Sequence, residues 1–311
     1  MKANLLITVI LPLLFCCGPD NPYPSIGAIP LPAGYHRIPG PVEYRGISGV
    51  PGSFADWLRN IPLKKDKTVY LFDGRPKRNQ DAQFAVLDVS VGHRDLQQCA
   101  DAIMRLRSEF LYAQRDFINI DFYSEQGTRL NFLEWANGGR VKLSGNQLIN
   151  YALSKITHSD QAPPPSQTGG DHYCDDRPCF DEYLQTVFSY CGTRTLERQL
   201  VPVRFEDMQI GDVLVHGGSP GHAMLVVDMA ADEKGHKIYL LAQSYMPAQD
   251  IHIVKNPSDP AKSPWYGPEN NGTINTPEYT FYTNQLRRWP RKLQVAGPEN
   301  YRKYRCIYRE T

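Results

Sequence analysis

An excess of charge of either sign is the first thing this sequence lacks. Its 311 residues carry 34 Lys and Arg against 33 Asp and Glu, a net charge of +1. Proteins that hold nucleic acid present a basic field to the phosphates. No such field exists here, and RNP-like and zinc-finger spacings are missing, so no nucleic-acid partner is expected. A Gly-rich loop placed to cradle phosphate after a strand is absent too, which argues against a nucleotide, and no cofactor is expected. Cys and His do not fall into paired ligand spacings. The nearest approach is Asp171-His172-Tyr173-Cys174-Asp175-Asp176, which without a second ligand pair predicts no metal site. Internal repeats are also lacking.

The chain is equally short of apolar runs that could cross a bilayer. Leu5 to Phe15 is apolar over roughly 11 residues, where a spanning helix needs about 20. Behind Lys2, and stopping at Phe15-Cys16-Cys17-Gly18, this run reads as an export signal. Its end resembles a bacterial lipobox, in which a cysteine thiol accepts a diacylglyceryl group and becomes the new N-terminus. Cys17 fits that role, with a small residue on either side; a plain cleaved signal peptide is the alternative. The expectation is an exported protein of the periplasm or outer membrane, held to the membrane through its lipid. Residues 1–17 are then the signal peptide and 18–28 a Pro/Gly/Asn-rich tether. Residues 29–290 form a single α+β domain, and 291–311 a polar tail.

In an oxidising compartment the remaining cysteines, Cys99, Cys174, Cys179, Cys191 and Cys306, are an odd set, so at least one thiol is free or pairs between chains. Cys174 and Cys179 are close enough in sequence for a local disulfide.

Hydrophobic residues make up 41% of the chain, enough for a substantial core, and 25 prolines signal many turns. Ser53 caps a short helix through Leu58, with Asp56 at its third position. Val69 to Phe72, ahead of Asp73-Gly74, reads as a strand and turn, and Phe84 to Val91 as a second strand. Asp95 opens the strongest helix, its stripe being Leu96, Cys99, Ile103, Leu106 and Phe110. Beside the stripe Gln98, Asp101, Arg105 and Glu109 follow the same spacing. They form either a cleft wall or a solvated face with an Asp101–Arg105 pair. A third strand is expected at Ile118 to Tyr123. A second helix runs from Phe180 to Tyr190, with Gly192 suited to its C-cap. Strands at 212–215, 223–227, 238–242 and 251–254 read as an antiparallel meander.

The sharpest pattern lies in that meander: Gly211-Asp212-Val213-Leu214-Val215-His216-Gly217-Gly218-Ser219-Pro220-Gly221-His222-Ala223. A strand, a glycine-rich hairpin and a histidine opening the next strand resemble the core of NlpC/P60 and other papain-like hydrolases. The resemblance implies an antiparallel sheet packed against helices, here with an N-terminal α/β extension. It also implies a cysteine at a helix start as nucleophile, His222 as its base and a polar side chain on the following strand as orienter, a place Gln243 takes. Two cysteines compete for the first role. Cys179 lies just ahead of a helix and close upstream of His222; Cys99 lies in the first turns of a helix much farther upstream. Tyr245 and Gln249, in the turn after Gln243, are candidate ligand contacts.

Three segments together resemble a family of bacterial lipoproteins known as domain of unknown function 4846. They are Asp95 to Arg107, Ser219 to Ala223 and Leu240 to Gln249, with Ser263-Pro264-Trp265-Tyr266 and Thr276-Pro277-Glu278-Tyr279 in support. The likeness runs from about Ile29 to Trp289 and implies no particular reaction. Cys99 falls inside it and Cys179 does not, which favours Cys99 as the partner of His222 and Gln243. Two readings of function result. One is a cell-envelope thiol hydrolase, an amidase or peptidase acting on peptidoglycan or other peptide amides. The other is a papain-like scaffold that binds a cell-wall peptide, glycan or protein without chemistry.

Overall fold

The computed structural model describes residues 38–152, 173–267 and 272–290. The leader with Cys17, the tether at 18–28, Cys306 and the tail at 291–311 lie outside them. In chain order come strand β1 (Arg45–Gly46), helix α1 (Phe54–Arg59), strand β2 (Gln83–Val86) and helix α2 (Cys99–Ala113). Two hairpins follow, β3 (Asp121–Tyr123) with β4 (Arg129–Asn131) and β5 (Gly139–Ser144) with β6 (Gln147–Ala152), separated by helix α3 (Phe132–Ala136). Helices α4 (Arg177–Tyr190) and α5 (Thr193–Gln199) lead to β7 (Val201–Pro202), β8 (Val213–His216), β9 (His222–Ala231), β10 (Lys237–Gln243) and β11 (His252–Val254). The hairpin of β12 (Thr273–Asn275) and β13 (Thr280–Tyr282) precedes the last strand, β14 (Leu286–Arg288).

One antiparallel sheet organises these elements, in the order β2-β11-β10-β9-β8-β14-β7, with β1 beside the far end of β9. The expected meander is its centre. The N-terminal part is not an appended extension: β2 pairs Val86 with His252 at the sheet edge, and α2 lies against β9. The architecture is mixed α and β, with a mostly antiparallel sheet and few helices.

Both faces of the sheet are covered, which explains why its strands are apolar almost throughout. Ala223, Leu225 and Val227 of β9 join Leu240 and Ala242 of β10 in a core shared with α1, α2, α4 and α5. Met224 and Val226 join Tyr239 and Leu241 in a second core beneath β12 and β13. Leu240 pairs with Asp228 but Leu241 with Val226, so Val227 is an extra residue on β9. This bulge inverts the alternation beyond it: Met229 faces the second core and Ala230 the first.

Helix α2 starts later than its periodicity predicts. Residues 95–98 are held out of the helix by tertiary bonds: Asp95 Oδ1 accepts the Ala248 N–H, and the Gln97 carbonyl accepts from Ser244 Oγ. The Gln98 N–H donates to Asp101 Oδ2, closing the first turn from outside. Cys99 becomes the first helical residue. The polar flank is neither a cleft wall nor a solvated face, because Asp101, Arg105 and Glu109 are all buried. Arg105 pairs with Glu109 at 3.4 Å rather than with Asp101, and its guanidinium also donates to the Ser90 carbonyl and Gln97 Oε1. Glu109 in turn takes a two-pronged bond from Arg177 of α4, at 2.7 and 2.8 Å.

Other local expectations also yield to tertiary context. Val69 to Phe72 makes only isolated bridges, Tyr70 to Pro76 and Leu71 to Gln249, and β2 stops at Val86. The 3-10 turn Phe117–Asn119 shortens the next strand to Asp121–Tyr123. Helix α4 begins at Arg177, three residues early, because Asp176 caps the Cys179 N–H. Gly192 is not a C-cap: its backbone is extended, and it stands immediately before α5. The capped helix α1 is as read, with Ser53 Oγ accepting from the Asp56 N–H.

Beside the bulge, Arg59 Nε meets Asp228 Oδ1 at 2.9 Å, both side chains nearly buried. Removing one partner of such a pair strands the other charge. We expect Asp228→Ala to cost about 3–5 kcal/mol in urea unfolding, and Arg59→Met with Asp228→Leu to recover most of it. A loss below about 1 kcal/mol for the single variant would mean that the guanidinium is solvated after all.

Candidate functional site

The hairpin joining β8 to β9 puts His222 at the mouth of the sheet, paired with His216 in register. Two of its glycines are required by close approach. A Cβ on Gly221 would sit 2.5 Å from Thr193 Oγ1, and one on Gly217 2.6 Å from Glu197 Oε2, because the start of α5 presses on the turn. Strand alternation sends the His222 ring to the same side as Met224, towards the β12–β13 hairpin. There it contacts Tyr279 and Phe281, with ring centres at 5.2 and 5.8 Å, and Tyr245 at 4.9 Å.

His222 and Gln243 are brought together as the sequence suggests. His222 Nε2 lies 2.7 Å from Gln243 Oε1, both side chains being buried. The Gln243 amide nitrogen then serves two further groups, Glu278 Oε2 at 2.7 Å and His252 Nε2 at 3.2 Å. Glu278 is also held by Lys77 Nζ at 2.6 Å and Asn79 Nδ2 at 3.2 Å. His222 Nδ1 makes no hydrogen bond among the described residues. With Nε2 bearing the proton that Gln243 accepts, the neutral ring presents a lone pair at Nδ1.

Cys99 approaches from the other face, at the start of α2. Its sulfur lies against the backbone amide of Ala223, the residue after His222, and against the amides of Ala100 and of Cys99 itself. Burial raises the pKa of Tyr245 and of Tyr279, and a negative charge on Cys99 would add to both shifts. Cys99 and His222 thus lie at the same end of β9 but on its two sides, separated by the first peptide of the strand. No hydrogen bond joins them among the described residues. The thiol is 8% exposed, and burial, with a smaller contribution from Asp101, pushes its pKa up to about 11. Burial likewise pulls His222 down to about 4, against the opposing pull of Gln243 and Glu278. The resting pair is therefore neutral thiol and neutral imidazole.

Of the other expected site residues, Tyr245 is half-buried beside His222. Gln249 is 1% exposed, buried beneath the turn as deeply as His222. Asp101 and Arg105 are structural for the reasons given above, and Gln98 is half-buried at the helix cap. Cys179 is joined to Cys174 in a disulfide, Cα to Cα 5.9 Å, and so offers no nucleophile. Cys99 and Cys191 are the free cysteines among the described residues. Sequence reasoning missed Lys77, Glu278 and His252. The one available signal was Thr276-Pro277-Glu278-Tyr279, noticed as a family-like segment without its chemistry being read.

A groove of about 880 Å³ opens nearby, bounded by Lys64, Tyr70, Asp88, His93 and Asp250. Neither Cys99 nor His222 lines it, so it is a separate feature from the thiol–imidazole pair. Among the described residues no cluster of three or more His, Cys, Asp or Glu is placed to hold a metal ion. No helix there is long and apolar enough to cross a membrane.

Residues 35–288 match the family model described as Domain of unknown function (4846), and the chain belongs to that family. No curated protein and no solved structure matches it.

Both buried histidines should titrate far below the ordinary imidazole value of about 6.5, His222 near 4 and His252, also depressed chiefly by burial, near 3. As pH falls from about 6.5 towards those values the unfolded chain takes up the protons first. Each ring then withdraws a little over 1 kcal/mol of stability per pH unit. Histidine NMR titration with urea melts at several pH values checks this; a His222 midpoint above 6 would contradict its desolvation.

Proposed function

We propose that this chain is an exported, lipid-anchored cell-envelope protein whose domain is a papain-like thiol hydrolase of NlpC/P60 type, cleaving amide bonds in cell-wall peptides. The observation that supports the reading is a histidine opening β9 whose Nε2 is bonded to a glutamine on the next strand, with a free cysteine at the start of the helix that packs on β9. Cys99 would attack the amide carbonyl after losing its proton to His222 Nδ1. Backbone N–H groups around the sulfur would receive the developing oxyanion, and the imidazolium would return the proton to the leaving amine. Water deprotonated by the same ring would then release the acyl group as an acid and restore the thiol. Because both groups are neutral at rest, the proton transfer would accompany attack on the bound carbonyl rather than precede it. The Cys174–Cys179 disulfide agrees with folding in an oxidising compartment, and so with export. The anchor at Cys17 rests on the lipobox resemblance alone.

A binding role without chemistry is the second reading, and one observation favours it: the Cys99 thiol is nearly buried, raised to about 11, and makes no hydrogen bond to His222. The two readings part under one assay. Purified protein is incubated with peptidoglycan fragments and products are followed by mass spectrometry, with a peptide nitrile as covalent probe. The hydrolase reading expects new amines, an adduct on Cys99, and a loss of about 100-fold or more in rate for His222→Ala, with no turnover by Cys99→Ala. Fragment binding without product, unchanged in Cys99→Ala, would establish the binding role instead.

A further inference from the structure

We propose that Glu278, held by Lys77, and His252 are positioning residues that fix the tautomer of His222 by leaving the Gln243 carboxamide only one orientation. The inference rests on reading His222 as the base that Cys99 uses.

A carboxamide presents an acceptor at one end and two donors at the other. Three groups surround the one at Gln243, and two of them are acceptors. Glu278 is ion-paired to Lys77 at 2.6 Å and receives Asn79 as well, so its Oε2, 2.7 Å from the amide nitrogen, accepts. His252 is set by its own neighbour. Its Nδ1 lies 2.9 Å from the Asp250 carbonyl, which can only accept, so Nδ1 carries the hydrogen and Nε2 faces Gln243 as a lone pair at 3.2 Å. Turning the amide over would set its oxygen against both acceptors at once. In a site this well buried, such a contact forfeits two hydrogen bonds and adds repulsion. The oxygen is therefore left for His222, whose Nε2 must donate, and the lone pair that could take a proton stays at Nδ1.

Glu278 owes its position to the β12–β13 turn. Thr276 and Tyr279 bond across that turn, N–H to carbonyl at 2.9 Å and hydroxyl to carbonyl at 2.6 Å, and Glu278 is thrust towards Gln243 between them. Lys77 comes from a loop far away in sequence and is 7% exposed. Its burial lowers its pKa, and Glu278 opposes that. A pair so costly to desolvate is poor value as a stability device; its geometric effect on Gln243 is what it uniquely supplies.

The test is spectroscopic and needs no substrate. Long-range proton–nitrogen correlation spectra of histidine-labelled full-length protein at pH 7 report which ring nitrogen of His222 bears the hydrogen. In the unmodified protein the expectation is a single form with hydrogen on Nε2, and His252 with hydrogen on Nδ1. Replacing the ion pair together, Lys77→Met with Glu278→Leu, avoids stranding a buried charge, and a second form with hydrogen on Nδ1 should appear at His222. Glu278→Gln retains an acceptor oxygen and should keep the single form, while thermal melts verify that each variant is folded. An unchanged His222 pattern in the folded double variant overturns the proposal, as does a Nδ1–H ring in the unmodified protein. A failed hydrolysis assay with tautomer selection intact would instead sink the hydrolase reading and leave the ordering role of Glu278 standing.

Discussion

A helix enclosed on nearly every side has to find partners for its polar groups inside the protein, and α2 is such a helix. Arg105 spends its guanidinium on the Ser90 carbonyl, Gln97 and Glu109, and Glu109 reaches on to Arg177 of α4. These bonds tie α2 to the loop before it and to the helix packed on it. Asp101 closes its first turn on the Gln98 N–H, while the preceding residues are anchored to the turn after β10 through Asp95 and Ser244. The start of α2 is consequently held in place against β9. Were it free to fray or slide by a turn, Cys99 would lose its place beside the first peptide of that strand. The precision of the thiol's location derives from burial well away from it.

The polar chain at the mouth of the sheet has the same character. Lys77, Glu278, Gln243, His222 and His252 come from a loop, a hairpin and three neighbouring strands, Gln243 and His252 being the nearest two in sequence. The apolar work is done around them by Tyr239, Met224, Val226, Phe281 and Leu241. Each polar group in the chain satisfies the next, so a side chain as demanding as a buried lysine can be accommodated where a lone one could not. The hairpin that brings Glu278 also brings Tyr279, whose hydroxyl bonds His216 Nδ1 at 2.7 Å and whose ring rests on His222. One short turn thereby supplies both a wall and an electrostatic partner.

What could be read beforehand follows from how local the cause is. The cap at Ser53, the stripe of α2 and the alternating strands around the glycine hairpin are local patterns, and they appear in the structure with small shifts of boundary. The pairing of His222 with Gln243 was legible because consecutive strands in a meander are neighbours, so a histidine at the start of one and a glutamine at the end of the next meet at the same end of the sheet. The failures were of another kind. Polar spacing on α2 looked like a solvated face because nothing in the helix itself says that α4 and the 90s loop will cover it. Val69 to Phe72 has strand-like composition, but the edge position it would need is taken by β2. Glu278 and Lys77 became significant only through a contact two hundred positions apart in sequence.

The extra residue in β9 has a consequence for how this chain can change length. Below Val227 the strand shows one parity to the helices, and above it the other, so both halves bury their large side chains correctly. Deleting one residue from the first half would turn His222 out of the hairpin-side core and bring Ala223 in, while leaving the Arg59–Asp228 half untouched. A change of length within this strand keeps its parity only when residues are added or removed in pairs.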